Sequence, residues 1–133
     1  MLTGECNCGA VAFEVTETVT DIFVCHCSIC RRSTGSGGIE VVLVPQASFR
    51  WLRGEEMIAT WQKPEGAWQT WFCRTCGGRV PGTNDEAYMF VPASSISHGG
   101  EMLRVAHHLF VDSKAPWHVI GDDGKQHPDS YRA

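Results

Sequence analysis

Seven cysteines in three groups are the residues of this chain best suited to chemistry. Cys6 and Cys8 form a C-x-C pair, Cys25, Cys27 and Cys30 form C-x-C-x-x-C, and Cys73 and Cys76 form C-x-x-C followed by Gly77 and Gly78. A C-x-x-C turn closed by glycine is a zinc knuckle: both sulfurs face one ion, backbone amides donate to the thiolates, and glycine supplies the positive φ. A knuckle is half of a tetrahedral site. The other isolated pair, Cys6 and Cys8, completes it, so Cys6, Cys8, Cys73 and Cys76 are expected to form a saturated, structural zinc site. Cys25, Cys27 and Cys30 then remain as a second zinc site with three protein ligands, the usual arrangement where a fourth position takes part in catalysis.

The alternatives are weaker. Disulfides across C-x-C are strained, and an odd cysteine count without a secretory signal opposes a disulfide framework. A thioredoxin-like role for Cys73 and Cys76 needs a helix and a βαβ setting that Gly77-Gly78 opposes. Iron competes with zinc for four thiolates. His26 sits inside the middle cluster, but a residue between two ligands of a C-x-C points away from the metal. Another histidine or a bound thiol is left to fill the fourth position.

The elements that must hold these sulfurs are short. Strands are expected near Ala10–Val15, Asp21–Val24, Gly38–Val44, Phe49–Leu52, Met57–Gln62, Trp68–Phe72, Ala87–Val91 and Val105–Val111, from runs of Val, Ile, Phe and Trp between glycines and prolines. Ile39–Val44 is apolar almost throughout, which suits a strand buried on both faces. Helical turns are expected at Ser28–Arg32 and, started by Pro92, at Val91–Ser97. The fold class is all-β, mainly antiparallel sheets with one or two short helical turns. Gly35–Gly38 is expected to be a flexible loop, and the polar stretch from Gly121 to be loosely held.

The chain has 133 residues, which suits a single domain over residues 1–133. Its formal net charge of −4 argues against a nucleic-acid partner. No run approaches the ~18 apolar residues of a membrane span, and the opening Met-Leu-Thr-Gly-Glu shows no signal pattern, so a cytoplasmic location is expected.

Three runs together resemble the glutathione-dependent formaldehyde-activating enzyme family, also called the centromere-protein-V domain family. They are Gly4-Glu-Cys6-Asn-Cys8-Gly9-Ala-Val-Ala-Phe13, Cys25-His-Cys27-Ser-Ile-Cys30-Arg31-Arg32-Ser-Thr-Gly35, and Phe72-Cys73-Arg-Thr-Cys76-Gly77. His108-Leu-Phe-Val111 and Ser113-Lys-Ala-Pro-Trp117 are similar to its closing motif. The resemblance implies a β-tent fold clipped by a four-cysteine zinc, a second zinc on Cys25, Cys27 and Cys30, and a carbon–sulfur lyase joining formaldehyde to glutathione.

The same residues fit that activity. Zinc on three thiolates is electron-rich, a weak maker of hydroxide and better suited to a fourth thiolate. The expected partners are a small thiol, such as glutathione, and a small aldehyde. Arg31 and Arg32 are candidates to hold the thiol's carboxylate in a forked pair. Of Trp51, Trp61, Trp68, Trp71 and Trp117, most should pack and one or two should line a pocket mouth. His107 and His108 should face opposite ways, with His108 turned inward, while His98, His118 and His127 read as surface or loop residues. A non-catalytic zinc module, or a redox sensor that releases metal from the trio, is the alternative.

Overall fold

The computed structural model describes residues 1–66 and 68–133. Strands β1 (Leu2–Glu5), β2 (Ala12–Val15), β3 (Asp21–Cys25), β4 (Ile39–Pro45), β5 (Phe49–Arg53), β6 (Ile58–Gln62), β7 (Gln69–Cys73), β8 (Gly82–Thr83), β9 (Tyr88–Pro92), β10 (Ile96–His98), β11 (Arg104–Leu109) and β12 (Lys125–Gln126) follow one another along the chain. Among the described residues one α-helix, α1 (Ser28–Thr34), sits between β3 and β4, capped at its end by Gly35. The strands form a four-stranded sheet β10-β1-β2-β5, a six-stranded sheet β12-β11-β3-β4-β9-β8 and a two-stranded sheet β6-β7.

The apolar run of β4 explains how two of these sheets meet. Side chains alternate along a strand. Val42 and Val44 pack with Leu2, Phe13, Val15, Met89 and Val91, so β4 and β9 bury this face against β1 and β2 of the four-stranded sheet. Ile39, Val41 and Leu43 point the other way, into a second cluster around Cys30. A third cluster, Cys6, Val11, Cys73 and Val80, joins the four-stranded sheet to β7.

The expected strands all form, with ends displaced by a residue or two. The helical turn expected at Val91–Ser97 is shorter: β9 runs to Pro92, a 3-10 turn covers Ala93–Ser95, and β10 begins at Ile96. The reason is that residues 96 and 98 pair with β1, and sheet pairing outweighs the weak local helical signal. Most pairings are antiparallel, but β11 runs parallel to β3 and to β12.

Two expectations about mobility are corrected. The stretch from Gly121 is tied down, with the Phe110 and Val111 amides donating to the carbonyls of Asp129 and His127 at 2.8 and 3.0 Å. Gly37 and Gly38 pack tightly too. A Cβ at Gly37 would collide with the His118 ring, and one at Gly38 would lie 2.6 Å from the Cys25 carbonyl oxygen.

Gly54 shows how the framework constrains the chain. It has φ +81°, and an added Cβ would strike the Ala10 carbonyl oxygen in the loop beyond Cys8. Gly54→Ala is expected to cost at least about 1–3 kcal/mol from the left-handed backbone alone. A fall in the urea midpoint with unchanged slope checks this, and a wild-type midpoint would refute it.

Candidate functional site

The four sulfurs that close the fold come from two tight turns. After β1, the Cys6 amide donates to the Val11 carbonyl at 3.0 Å, and the Val11 amide donates to Cys6 Sγ at 3.3 Å. After β7, the Gly77 amide returns to the Cys73 carbonyl at 2.7 Å, with Gly77 at φ 73°. The amides of Thr75 and Gly78 each donate at 3.4 Å, to Cys73 Sγ and Cys76 Sγ. Such bonds favour thiolates: Cys76 is lowered to about 6, chiefly by the Gly78 amide. Cys6 Sγ lies 3.7 Å from Cys8 Sγ, and Cys8 Sγ lies 3.8 Å from Cys73 Sγ. A tetrahedron with zinc–sulfur bonds of about 2.3 Å has edges of about 3.8 Å, so this quartet fits the ion.

The trio assembles at the end of β3. Cys25 is the last residue of that strand, Cys27 caps α1, and Cys30 lies in its first turn. The Cys30 amide donates to Cys27 Sγ at 3.4 Å, and the Cys25 and Cys27 sulfurs are 3.4 Å apart. All three sulfurs fall within 4.8 Å of one another, a spacing that could hold a metal ion, and no histidine or carboxylate joins them among the described residues. Without metal, Cys25 is lowered to about 6, first by a hydrogen bond from Cys30, while Cys30 is pushed up by that same bond and by burial. The trio therefore carries negative charge near neutral pH, which suits a cation.

His26 does turn away from the sulfurs. Its ring is fully buried, with Nε2 2.8 Å from His108 Nδ1, and His108 Nε2 lies 2.8 Å from Asp122 Oδ1. The Gly124 amide holds Asp122 Oδ1 at 2.9 Å. With Asp122 ionised, His108 donates to it through Nε2 and accepts from His26 through Nδ1. Burial first, then the neighbouring His108, lowers His26 to about 4, so the His26 ring stays neutral near pH 7. His108→Leu strands His26 Nε2 in the interior and is expected to cost about 1–3 kcal/mol, read as a lowered thermal midpoint. A midpoint equal to wild type would show that this hydrogen-bonded chain carries no stability.

The other histidines divide differently from the sequence-based expectation. His127 is buried, not on the surface, and its Nε2 lies 3.0 Å from His107 Nδ1. His107 does not face open solvent either: it stacks on Phe23 at 5.1 Å, because Tyr131 and His127 of the docked C-terminal segment cover it. His118 is half-buried, edge-on to His26 at 5.1 Å, while His98 is exposed.

Cys25 and Cys30 line a pocket of about 230 Å³ whose other walls include Phe90 and Trp68. A second pocket of about 320 Å³ shares Trp68 with it and is lined by Arg32, Lys63, Arg79 and Trp61. Arg31 is outside both, and its Nε donates to the His26 carbonyl at 3.2 Å. Arg79 is the residue that sequence reasoning missed. It donates to the Ser33 carbonyl in the last turn of α1, and burial lowers its pKa. Its one sequence signal is its place just after the knuckle. A wider cleft, about 510 Å³, reaches Cys6 and Glu40 but no sulfur of the trio. Trp51 and Trp71 pack against the quartet's cluster, and Trp117 is exposed.

A Halomonas elongata protein, provisionally named a glutathione-dependent formaldehyde-activating enzyme, is 29% identical over 126 residues, covering 88% of this chain and 79% of its own. A crystal structure of a Rhodobacter sphaeroides protein superposes with a TM-score of 0.59 at 27% identity, over 76% of this chain and 97% of that one. Residues 1–113 match the glutathione-dependent formaldehyde-activating enzyme family. With both cysteine clusters assembled on mainly antiparallel sheets and that match spanning them, the chain belongs to the glutathione-dependent formaldehyde-activating enzyme family.

Proposed function

We propose that this protein is a zinc-dependent carbon–sulfur lyase that forms or cleaves an adduct between a small anionic thiol and an aldehyde, with glutathione as the first thiol to test. The observation that carries this reading is the trio: three sulfurs, no fourth protein ligand among the described residues, and a pocket that two of them line. Zinc held by Cys25, Cys27 and Cys30 would offer one position to a substrate sulfur and favour its thiolate.

The chain's own groups would do the rest. Arg32, Lys63 and Arg79 would take the thiol's carboxylates, the arginines through forked pairs. Trp68, which walls both pockets, would keep water from the sulfur. In the forward direction a bond forms between sulfur and the carbonyl carbon, and the thiol's proton ends on the carbonyl oxygen. Cleavage reverses both changes, so no further reactant is consumed. The saving is in orientation, since two small molecules meet in one held geometry.

Calorimetric titration of glutathione into the zinc-loaded protein should show saturable binding. Exchange NMR on ¹³C-formaldehyde and glutathione should show faster interconversion with the adduct than in buffer. Absence of both effects would overturn the lyase reading and leave the trio as a structural or redox-sensing centre.

A further inference from the structure

The pocket beside the trio is lined by the outward face of the six-stranded sheet. Period-two alternation puts Val41 and Leu43 of β4 on this face, with Phe23 of β3, Phe90 of β9 and Leu109 of β11 around them. Trp68 closes one side and Tyr131 of the C-terminal segment closes another. Apart from the trio's own sulfurs, no charged side chain among the described residues lines it, and Asn84 supplies an amide. The Trp68 Nε1 is buried without a hydrogen-bond partner among the described residues, which leaves a donor for an acceptor that a ligand brings.

A pocket of about 230 Å³ is large for formaldehyde. An apolar protein cavity of about 150 Å³ already admits benzene. The proposed anionic half of the substrate is assigned to the separate arginine-lined pocket that shares Trp68. An apolar space touching Cys25 and Cys30 is therefore left to the other half.

We infer that the aldehyde half of the substrate is itself apolar, an aromatic or branched aliphatic aldehyde, and that its side chain sits against Phe23, Val41, Leu43 and Phe90. This rests on the thiol–aldehyde reading above and names its substrate class. Small aldehydes would still react, because their carbonyl can reach the same sulfur, but they would leave the apolar walls wet.

Stable thioethers separate this inference from the reading beneath it. The zinc-loaded full chain is titrated with S-benzylglutathione, S-methylglutathione and benzyl alcohol, by calorimetry and by tryptophan fluorescence. S-benzylglutathione is expected to bind at least about tenfold more tightly than S-methylglutathione, the gain that burying a phenyl ring brings in an apolar pocket. Leu43→Trp, which fills the pocket, should erase that advantage, so that the two thioethers bind alike. Leu43→Gln, closer in size to leucine, provides a second reading if Leu43→Trp disturbs folding.

Equal affinities for the two thioethers would overturn the apolar-aldehyde inference and keep the lyase reading. Benzyl alcohol binding, with neither thioether bound, would keep the apolar pocket and sink glutathione as the thiol. If none of the three binds, both proposals fail. A dimer that Leu43→Gln dissociates, again with no ligand bound, would assign this face to a second copy of the chain and overturn the inference.

Discussion

Replacing Cys73 by serine should leave the protein unable to hold its fold. Cys73 is fully buried at the end of β7, and β7 pairs with β6 in a two-stranded sheet, with a single further bridge from Phe72 to Arg79 and no strand ladder to the other sheets among the described residues. An isolated two-stranded sheet is marginal in water. What fastens this hairpin is the small cluster of Cys6, Val11, Cys73 and Val80, with Trp51 and Trp71 beside it, and the quartet of sulfurs at its centre. Binding of zinc to four thiolates supplies on the order of 10 kcal/mol in small peptides. A domain of this size has roughly 5–15 kcal/mol of stability in all. Cys73→Ser should therefore lose cooperative unfolding by circular dichroism, together with its metal at the quartet. A cooperative, wild-type urea transition in this variant would refute the structural role.

Cys30→Ser should do the opposite: remove the proposed activity and spare the fold. Cys30 sits in the first turn of α1, a seven-residue helix held at its start by the bond to Cys27 Sγ and at its end by Gly35. The main core between β1, β2, β4 and β9 does not involve it. One equivalent of metal should be lost, and the thermal midpoint should fall by about a few degrees. Loss of a group that merely supports a metal ligand costs about 10–100-fold, so loss of a ligand should lower adduct turnover by at least about a hundredfold. A chelator at rising concentration should empty the three-sulfur site before the four-sulfur one, with activity lost while the circular dichroism is unchanged. Simultaneous loss of both metals and the fold would place the trio among the structural elements.

Where the chemistry is local, the amino-acid order alone determined it. C-x-C and C-x-x-C turns bring their own sulfurs together, so both clusters were readable, as were the turn of α1 and the doubly apolar character of β4. The pairing of the Cys6–Cys8 turn with the Cys73–Cys76 turn followed from counting ligands. Tertiary structure decided what depends on distant partners. His26 meets His108 across 82 residues, and Arg79 meets Ser33 across 46. Neither separation leaves a periodic trace in the chain. The same holds for β11: its parallel place beside β3 and β12 buries His108 and His127. A polar C-terminal stretch thus becomes one wall of the site. Hydrophobic pattern shows that a face will be covered, whereas only the assembled sheets determine which residues cover it and what space they leave.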